Sequence, residues 1–395
     1  MIIYIFIFSL FFIISFMDIC CPIKESQRII LFRILILFLV FFKGLRWDTG
    51  SDWSQYYATF ENSSWGNIFS YARYGKGSTL MEPGYMFLNI LIKTFFGYYT
   101  FFLLITNAVI LYIYGKTIEK FVPEYKLAAL ALLVVSTELF PVRTSLAFAI
   151  FCFSFKYILN NKFWKYAICI AICFSIHRSS SALIVLYPVL KSKFNYIRSI
   201  IIYISLIFAS QILYSLFEYA HNIDILNILT GGLMDTYDAS NENLQIFQES
   251  GEGENNNFLT YISSIAQLTT FYFCCKHSGF DKTYSKYFNL SLNVYFVSLC
   301  IAVVGRIPGF GSLFRYVWAF SIGYSLCIGL SLCVLKQNKY LLVGLTMFCL
   351  TFFIKFQTEP FIQVESDGAK FYLPYKSFLQ QDEPIRSGSW SWRGK

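Results

Sequence analysis

Arg46, Asp48, Asp52 and Tyr56 share one polar segment, GLRWDTGSDWSQYYATF at 44–60, which directly follows an apolar run. Charges set where a chain leaves a bilayer meet a lipid-soluble substrate at the depth of its polar head. Guanidinium suits an anionic head, because it stays charged and its planar fork takes two phosphate oxygens at once. Asp48, Asp52 and Glu82, placed in a loop rather than as a helical pair, are the candidate carboxylates. One of them could act as general base on a substrate hydroxyl if its surroundings draw its pKa towards neutrality. The alternative is that they neutralise Arg46.

Three further polar breaks carry arginines. Arg143 follows Pro141, His177-Arg178 is followed by three serines, and Arg306 and Arg315 flank a Pro-Gly-Phe-Gly turn at 308–311. Breaks of this kind free backbone groups that survive at membrane depth only beside protein or a wet cavity. Taken singly, each arginine is equally explained by snorkelling to the interface. Taken together on one face, Arg143 and at least one of Arg306 and Arg315 are expected to join Arg46 and His177 around a common centre about 10 Å in reach. His177 is a candidate base or hydrogen-bonding ligand, or a satisfied core residue; His221 and His277 stand in loops without such company.

The elements that must hold these residues are membrane helices. Only 14% of the 395 residues are charged, 56% are hydrophobic and mean hydropathy is +0.53, against roughly 25% charged in a soluble domain. The net charge of +9 is scattered at the ends of apolar runs rather than gathered in a stripe, which argues against nucleic acid. The eleven cysteines lie mostly inside apolar runs with no paired CxxC spacing near His, so they read as small hydrophobes rather than metal ligands. The first apolar run, 1–17, lacks a basic leader and a cleavage site, and is expected to be a retained span.

Apolar runs recur along the chain, two of them broken. Run 85–115 is interrupted at Gly97-Tyr98-Tyr99 and predicts an interfacial or half-inserted helix before a span; run 166–190 is cut at His177 and predicts a hairpin. With that reversal the Lys- and Arg-rich connections all fall on one side, as the positive-inside rule requires. The chain is then all-α and polytopic, with about twelve spans, some short or broken. All four polar breaks face outward. A single membrane domain is expected over 1–360, with outer loops at 44–84 and 218–257, and a C-terminal tail over 361–395. The 218–257 loop is acidic from Glu218 to Glu254 and has no Lys or Arg, so it reads as a solvated loop or as a lid. No fixed-period repeat is visible.

Five blocks carry a resemblance: GLRWDTGSDWSQYYATF, MEPGYMFLN at 81–89, PVRTSLAFAI at 141–150, FSIHRSSSALIVLYP at 174–188 and YLPYKSF at 372–378. They resemble the EpsG family of polysaccharide-assembly proteins, grouped with the Wzy-type O-antigen polymerases. The resemblance implies a multi-pass enzyme of the bacterial inner membrane that works at its outer face. It would transfer a growing glycan from undecaprenyl diphosphate to a sugar hydroxyl of the next lipid-linked repeat unit. Arg46, Arg143, Arg178, Arg306 and Arg315 would hold diphosphate and glycan together with Tyr56 and Glu82. Asp52, His177 or Asp48 would take the acceptor proton. No cofactor or metal is implied, and a chain-length regulator and a flippase are the implied protein partners. Two other classes fit the same outer cations: a lipid-linked oligosaccharide flippase, which should show paired broken segments in two halves, and an O-antigen ligase, which differs only in acceptor. A membrane O-acyltransferase would rest on His177 alone.

Overall fold

The computed structural model describes residues 2–50, 52–69, 81–137, 139–140, 142–221, 256–307, 313–357 and 372–382. The apolar runs form helices: α1 (Ile2–Cys20), α2 (Glu25–Gly44), α3 (Trp53–Asn62), α4 (Pro83–Phe96), α5 (Tyr99–Phe121), α6 (Lys126–Ser136), α7 (Arg143–Leu159), α8 (Phe163–Ile176), α9 (Tyr187–Lys191), α10 (Tyr196–His221), α11 (Asn256–Lys276), α12 (Lys282–Val304), α13 (Phe314–Gln337) and α14 (Leu341–Gln357). Among the described residues five helices are long and apolar enough to cross a bilayer: α1, α5, residues 196–215 of α10, α12, and residues 316–337 of α13. Shorter apolar helices include α6, α8 and most of α14. The chain is a multi-pass, predominantly helical membrane protein. Among the described residues these five account for part of the twelve or so spans expected from sequence; several of the other apolar runs form helices of fewer than 18 residues.

One departure from an all-helical chain matters. Strand β1 (Arg46–Trp47) pairs antiparallel with β2 (Lys376–Ser377), Arg46 opposite Ser377 and Trp47 opposite Lys376. Residues 372–382, within the stretch read as a C-terminal tail, are therefore packed against the first polar segment. A polar segment leaving a helix has free backbone groups, and pairing with a second strand satisfies them.

The chain divides into two compact units, residues 1–192 with 328–395, and residues 193–327. In the first unit helix polarity defines two ends. Arg28, near the start of α2, bonds Asp18 near the end of α1, and Lys126 at the start of α6 bonds Glu25. At the opposite end lie the close of α2, the starts of α4, α5 and α7, and the close of α8. In the second unit α10 packs on α12, where the Phe194 N–H donates to Asn289 Oδ1 at 2.7 Å. Gly323 lets α13 approach α12, since a Cβ there would lie 2.7 Å from the Tyr295 nitrogen.

Both broken runs appear as breaks. α4 ends at Gly97, whose φ of 75° is the left-handed stop that glycine takes freely, and α5 starts two residues later. α4 thus has both ends at the Arg46 end of the unit. α8 ends at His177, where the backbone turns extended. The chain returns as a 3₁₀ helix over Arg178–Leu186 and the single turn of α9, not as a second α-helix. The reversal is held by the Tyr166 hydroxyl, which donates to the Leu183 carbonyl, and by Tyr187 packing on Phe163 and Tyr166.

Candidate functional site

Gly44 sets the course of the first polar segment. A Cβ at Gly44 would lie 2.8 Å from the Leu104 Cα, so only glycine lets α2 close against α5. The chain then tightens through Asp48 (φ 42°) and Gly50 (φ 110°). Asp is among the few side-chain-bearing residues that tolerate the left-handed region. Thr49 pins the turn, its hydroxyl donating to the Trp47 carbonyl at 2.8 Å and accepting from the Lys376 N–H at 3.2 Å.

Arg46, held in β1, is 1% exposed. Its Nη2 donates to the Phe140 carbonyl at 2.8 Å and its guanidinium lies 4.7 Å from the Phe140 ring centre. Nε and Nη1 have no hydrogen-bond partner among the described residues. Burial pulls this guanidinium below its usual range, while nearby tyrosines, Tyr99 first, act the other way. Among the described residues no ion pair joins Asp48 or Asp52 to Arg46, whose one hydrogen bond, from Nη2, goes to the Phe140 carbonyl. Asp52 instead accepts from the Tyr56 hydroxyl at 3.3 Å, and Asp48 is buried in the turn.

Arg143 opens α7. Its Nη1 meets Glu82 Oε2 at 2.7 Å and Met81 Sδ at 2.9 Å. The other Glu82 oxygen accepts the Arg178 backbone N–H at 3.0 Å, so one carboxylate clasps two of the breaks read from sequence. Gly84 makes this reach possible: a Cβ there would stand 2.3 Å from Ser175 Oγ and 2.8 Å from the Ser175 carbonyl, bringing α4 directly onto α8. His177 Nε2 lies 2.9 Å from Ser179 Oγ, with the donor set by the tautomer. The Arg178 side chain is exposed.

Tyrosines bridge the two arginines. Tyr99 and Tyr56 are within electrostatic range of Arg46, and Tyr56 and Tyr85 within that of Arg143. The Tyr56 and Tyr85 rings sit 5.8 Å apart. α4, α5 and α7 all present their N-termini here, where free N–H groups and aligned peptide dipoles favour negative charge. Chemically, buried cations, helix starts and hydroxyl donors together suit an oxygen-rich anion. Among the described residues no group of three or more His, Cys, Asp or Glu is placed to hold a metal ion.

The EpsG family pattern matches residues 29–377, a span that begins in α2 and ends in β2. This chain belongs to the EpsG family. No curated protein and no solved structure matches it. The first strand of the matched span and its last residues are the two partners in the β1–β2 pair, so the EpsG pattern closes on itself in space.

In this EpsG-family chain the first unit brings together Arg46, Asp52, Tyr56, Glu82, Arg143 and the backbone at His177-Arg178. Arg306 and Arg315 belong to the second unit, where Arg306 lies 4.9 Å from the Tyr261 ring centre. The turn at 308–311, the Arg315 side chain, Pro141 and residues 222–255 of the acidic loop lie outside the described residues. Tyr85, Tyr99, Trp47 and Trp53 were not singled out from sequence. They stand in or beside the motif blocks, but a chain that is 20% aromatic gives no reason to choose them. What marks them is burial with an unpartnered polar atom.

Proposed function

We propose that this protein is a polymerase of lipid-linked polysaccharide repeat units, acting at the outer face of the bacterial inner membrane. The observation that carries the reading is Arg46: a guanidinium 1% exposed, with Nε and Nη1 unpartnered among the described residues, at the end where three helices begin. A buried cation left without a carboxylate is costly unless a ligand completes it. A diphosphate bound to a lipid in the bilayer is a ligand of that charge and depth.

In the reaction, a hydroxyl oxygen of the acceptor unit attacks the anomeric carbon of the growing glycan. The C–O bond to undecaprenyl diphosphate breaks, the diphosphate leaves with the electron pair, and the hydroxyl proton passes to a base. Arg46 and Arg143 stabilise the charge that develops on the diphosphate, a role in which oriented donors lower the barrier most. Asp52, His177 or Asp48 accepts the proton. Glu82 keeps Arg143 and the His177 break in register, and Tyr56 orders Asp52. Arg178, exposed beside this cluster, contacts the glycan. Arg306 and Arg315 enter the proposal from sequence alone. Neither nucleotide sugar nor metal takes part, and a flippase and a chain-length regulator are the partners this chemistry calls for.

The test is the glycan length ladder in a deletion strain complemented with Arg46→Ala or Arg46→Lys. Arg46→Ala should collapse the ladder to single units with the protein still in the membrane, and Lys should rescue poorly because it offers no fork. A normal ladder made by stable Arg46→Ala protein would remove Arg46 from the site. Loss of whole polymer from a different lipid acceptor, with repeat-unit joining intact, would instead favour the ligase reading.

A further inference from the structure

The Arg46 end holds hydroxyl and indole groups that packing alone does not explain. Tyr99, the first residue of α5, is 2% exposed, and its ring packs on Trp53, Phe60 and Phe102 at 5.7, 5.4 and 5.8 Å between centres. Tyr85, in the first turn of α4, is fully buried and meets Phe102 edge-on at 5.6 Å. Trp53, the first residue of α3, is 1% exposed. Among the described residues neither the Tyr99 hydroxyl nor the Trp53 Nε1–H has a hydrogen-bond partner, and the Tyr85 hydroxyl has only the Asn89 side chain, one turn along α4, within reach. Phenylalanine at 85 and 99 would fill the same spaces without burying an unpartnered polar group.

These groups are not scattered. Arg46 with Nε and Nη1 free of partners, Arg143 with Nε likewise, and the three aromatic donors lie at one end of one unit. Tyr99 lies within electrostatic range of Arg46, Tyr85 of Arg143, and the two tyrosines of each other. The unpartnered atoms of Arg46, Arg143 and Trp53 are all N–H, and the tyrosine hydroxyls can donate beside them. Two of these residues are cations, and a phosphate oxygen, charged and an acceptor only, suits such a set better than a neutral sugar hydroxyl does.

We propose that the Tyr99 and Tyr85 hydroxyls, with the Trp53 indole N–H, are hydrogen-bond donors to the phosphate oxygens of the lipid-linked diphosphate. Tyr99 and Trp53 serve the phosphoryl group held by Arg46, and Tyr85 the one held by Arg143. This assignment rests on the polymerase reading and adds its neutral donors. Their chemical value is that they grip the leaving group without adding a permanent charge, so the carrier lipid is held through bond cleavage and still released. Two donor stations also favour a diphosphate over a monophosphate, which cannot occupy both.

The experiment uses the full chain in lipid nanodiscs, with undecaprenyl diphosphate, undecaprenyl monophosphate and inorganic diphosphate as probes. Apparent affinity is read from each probe's effect on the unfolding midpoint, beside the unliganded midpoint of each variant. Tyr99→Phe and Tyr85→Phe should leave the unliganded midpoint unchanged or raise it, since each removes an unsatisfied buried group. Each should weaken undecaprenyl diphosphate binding about tenfold, the size of one hydrogen bond to a charged acceptor. The monophosphate should be weakened by one of the two substitutions only. Wild-type affinity in both phenylalanine variants, with Arg46→Lys impaired, would overturn the tyrosine assignment and leave the polymerase reading standing. A lowered unliganded midpoint in both would make the hydroxyls structural and likewise overturn it. No binding of undecaprenyl diphosphate by wild type, or none lost in Arg46→Lys, would sink the polymerase reading itself. Equal affinity for inorganic and lipid-linked diphosphate would assign the site to a free anion and overturn the proposal.

Discussion

Arg28 and Arg46 sit at opposite ends of α2, 6% and 1% exposed, and the chain treats them in opposite ways. Arg28 has two carboxylates, Asp18 at 2.7 Å and Glu25 at 2.8 Å; Glu25 also takes Lys126 at 2.6 Å, and Glu124 takes Lys336 at 2.8 Å. Arg46 has one backbone carbonyl and an aromatic face. Acidic side chains are available to it in sequence, since Asp48 and Asp52 follow within six residues, yet neither is bonded to it. The first end pairs its buried cation with carboxylates of its own, and the second does not. Burial of an arginine therefore says little about function until its partners are known, and α2 with the strand that follows it supplies both cases.

The comparison breaks most sharply at Asp18. Asp18→Ala leaves Arg28 buried with only the half-exposed Glu25, and should cost about 3–5 kcal/mol of stability, read as the unfolding midpoint of purified protein. Adding Arg28→Met should restore most of it. A wild-type midpoint in Asp18→Ala would show that the paired end does not stabilise the fold.

Arg46→Met is the matched test at the other end. It keeps an apolar stem while deleting a buried charge with two unpartnered nitrogens, so the midpoint should hold or rise while polymerisation falls about 100-fold. A destabilisation as large as that of Asp18→Ala would erase the distinction between the ends.

Gly84→Ala probes how the second end is assembled. The new Cβ would meet the Ser175 side chain and carbonyl, pushing α4 off α8 and the Glu82 carboxylate away from Arg143 and Arg178. A loss of about 1–3 kcal/mol is expected, measured by the same midpoint, with polymer length shortened. The smallest perturbation tests only sidedness. With Cys21 as the sole native cysteine, it should react with an impermeant maleimide only after permeabilisation, whereas Ser64→Cys in a cysteine-free chain should react in intact cells. Both positions are exposed. The reverse pattern would put the Arg46 end in the cytoplasm.

Much of this was legible in sequence because membrane chains separate apolar from polar residues so cleanly. The helix breaks at Gly97 and His177 were readable, since a left-handed glycine and a polar HRSSS run interrupt otherwise apolar sequence. Arg46, Arg143 and Glu82 stood out for the same reason. The bond between Glu82 and Arg143 was not readable, because it joins positions 61 residues apart and depends on a close approach that only Gly84 allows. The returning arm of the 163–191 hairpin was expected as a helix of the ordinary kind; hydropathy has no term that separates 3₁₀ from α. β2 was hidden most completely. Two residues of strand have no periodicity, and nothing in YLPYKSF names a partner 330 residues earlier.

That strand pair also sets a clock. Arg46 is made before α3 to α14, but the strand that braces it contains Lys376 and Ser377, which follow all of them. On the ribosome, α1 to α14 are all synthesised before β1 can find its partner. A nascent or prematurely terminated chain can therefore have its helices inserted and still lack the brace behind Arg46. The brace behind Arg46 is completed only after all fourteen helices have been made.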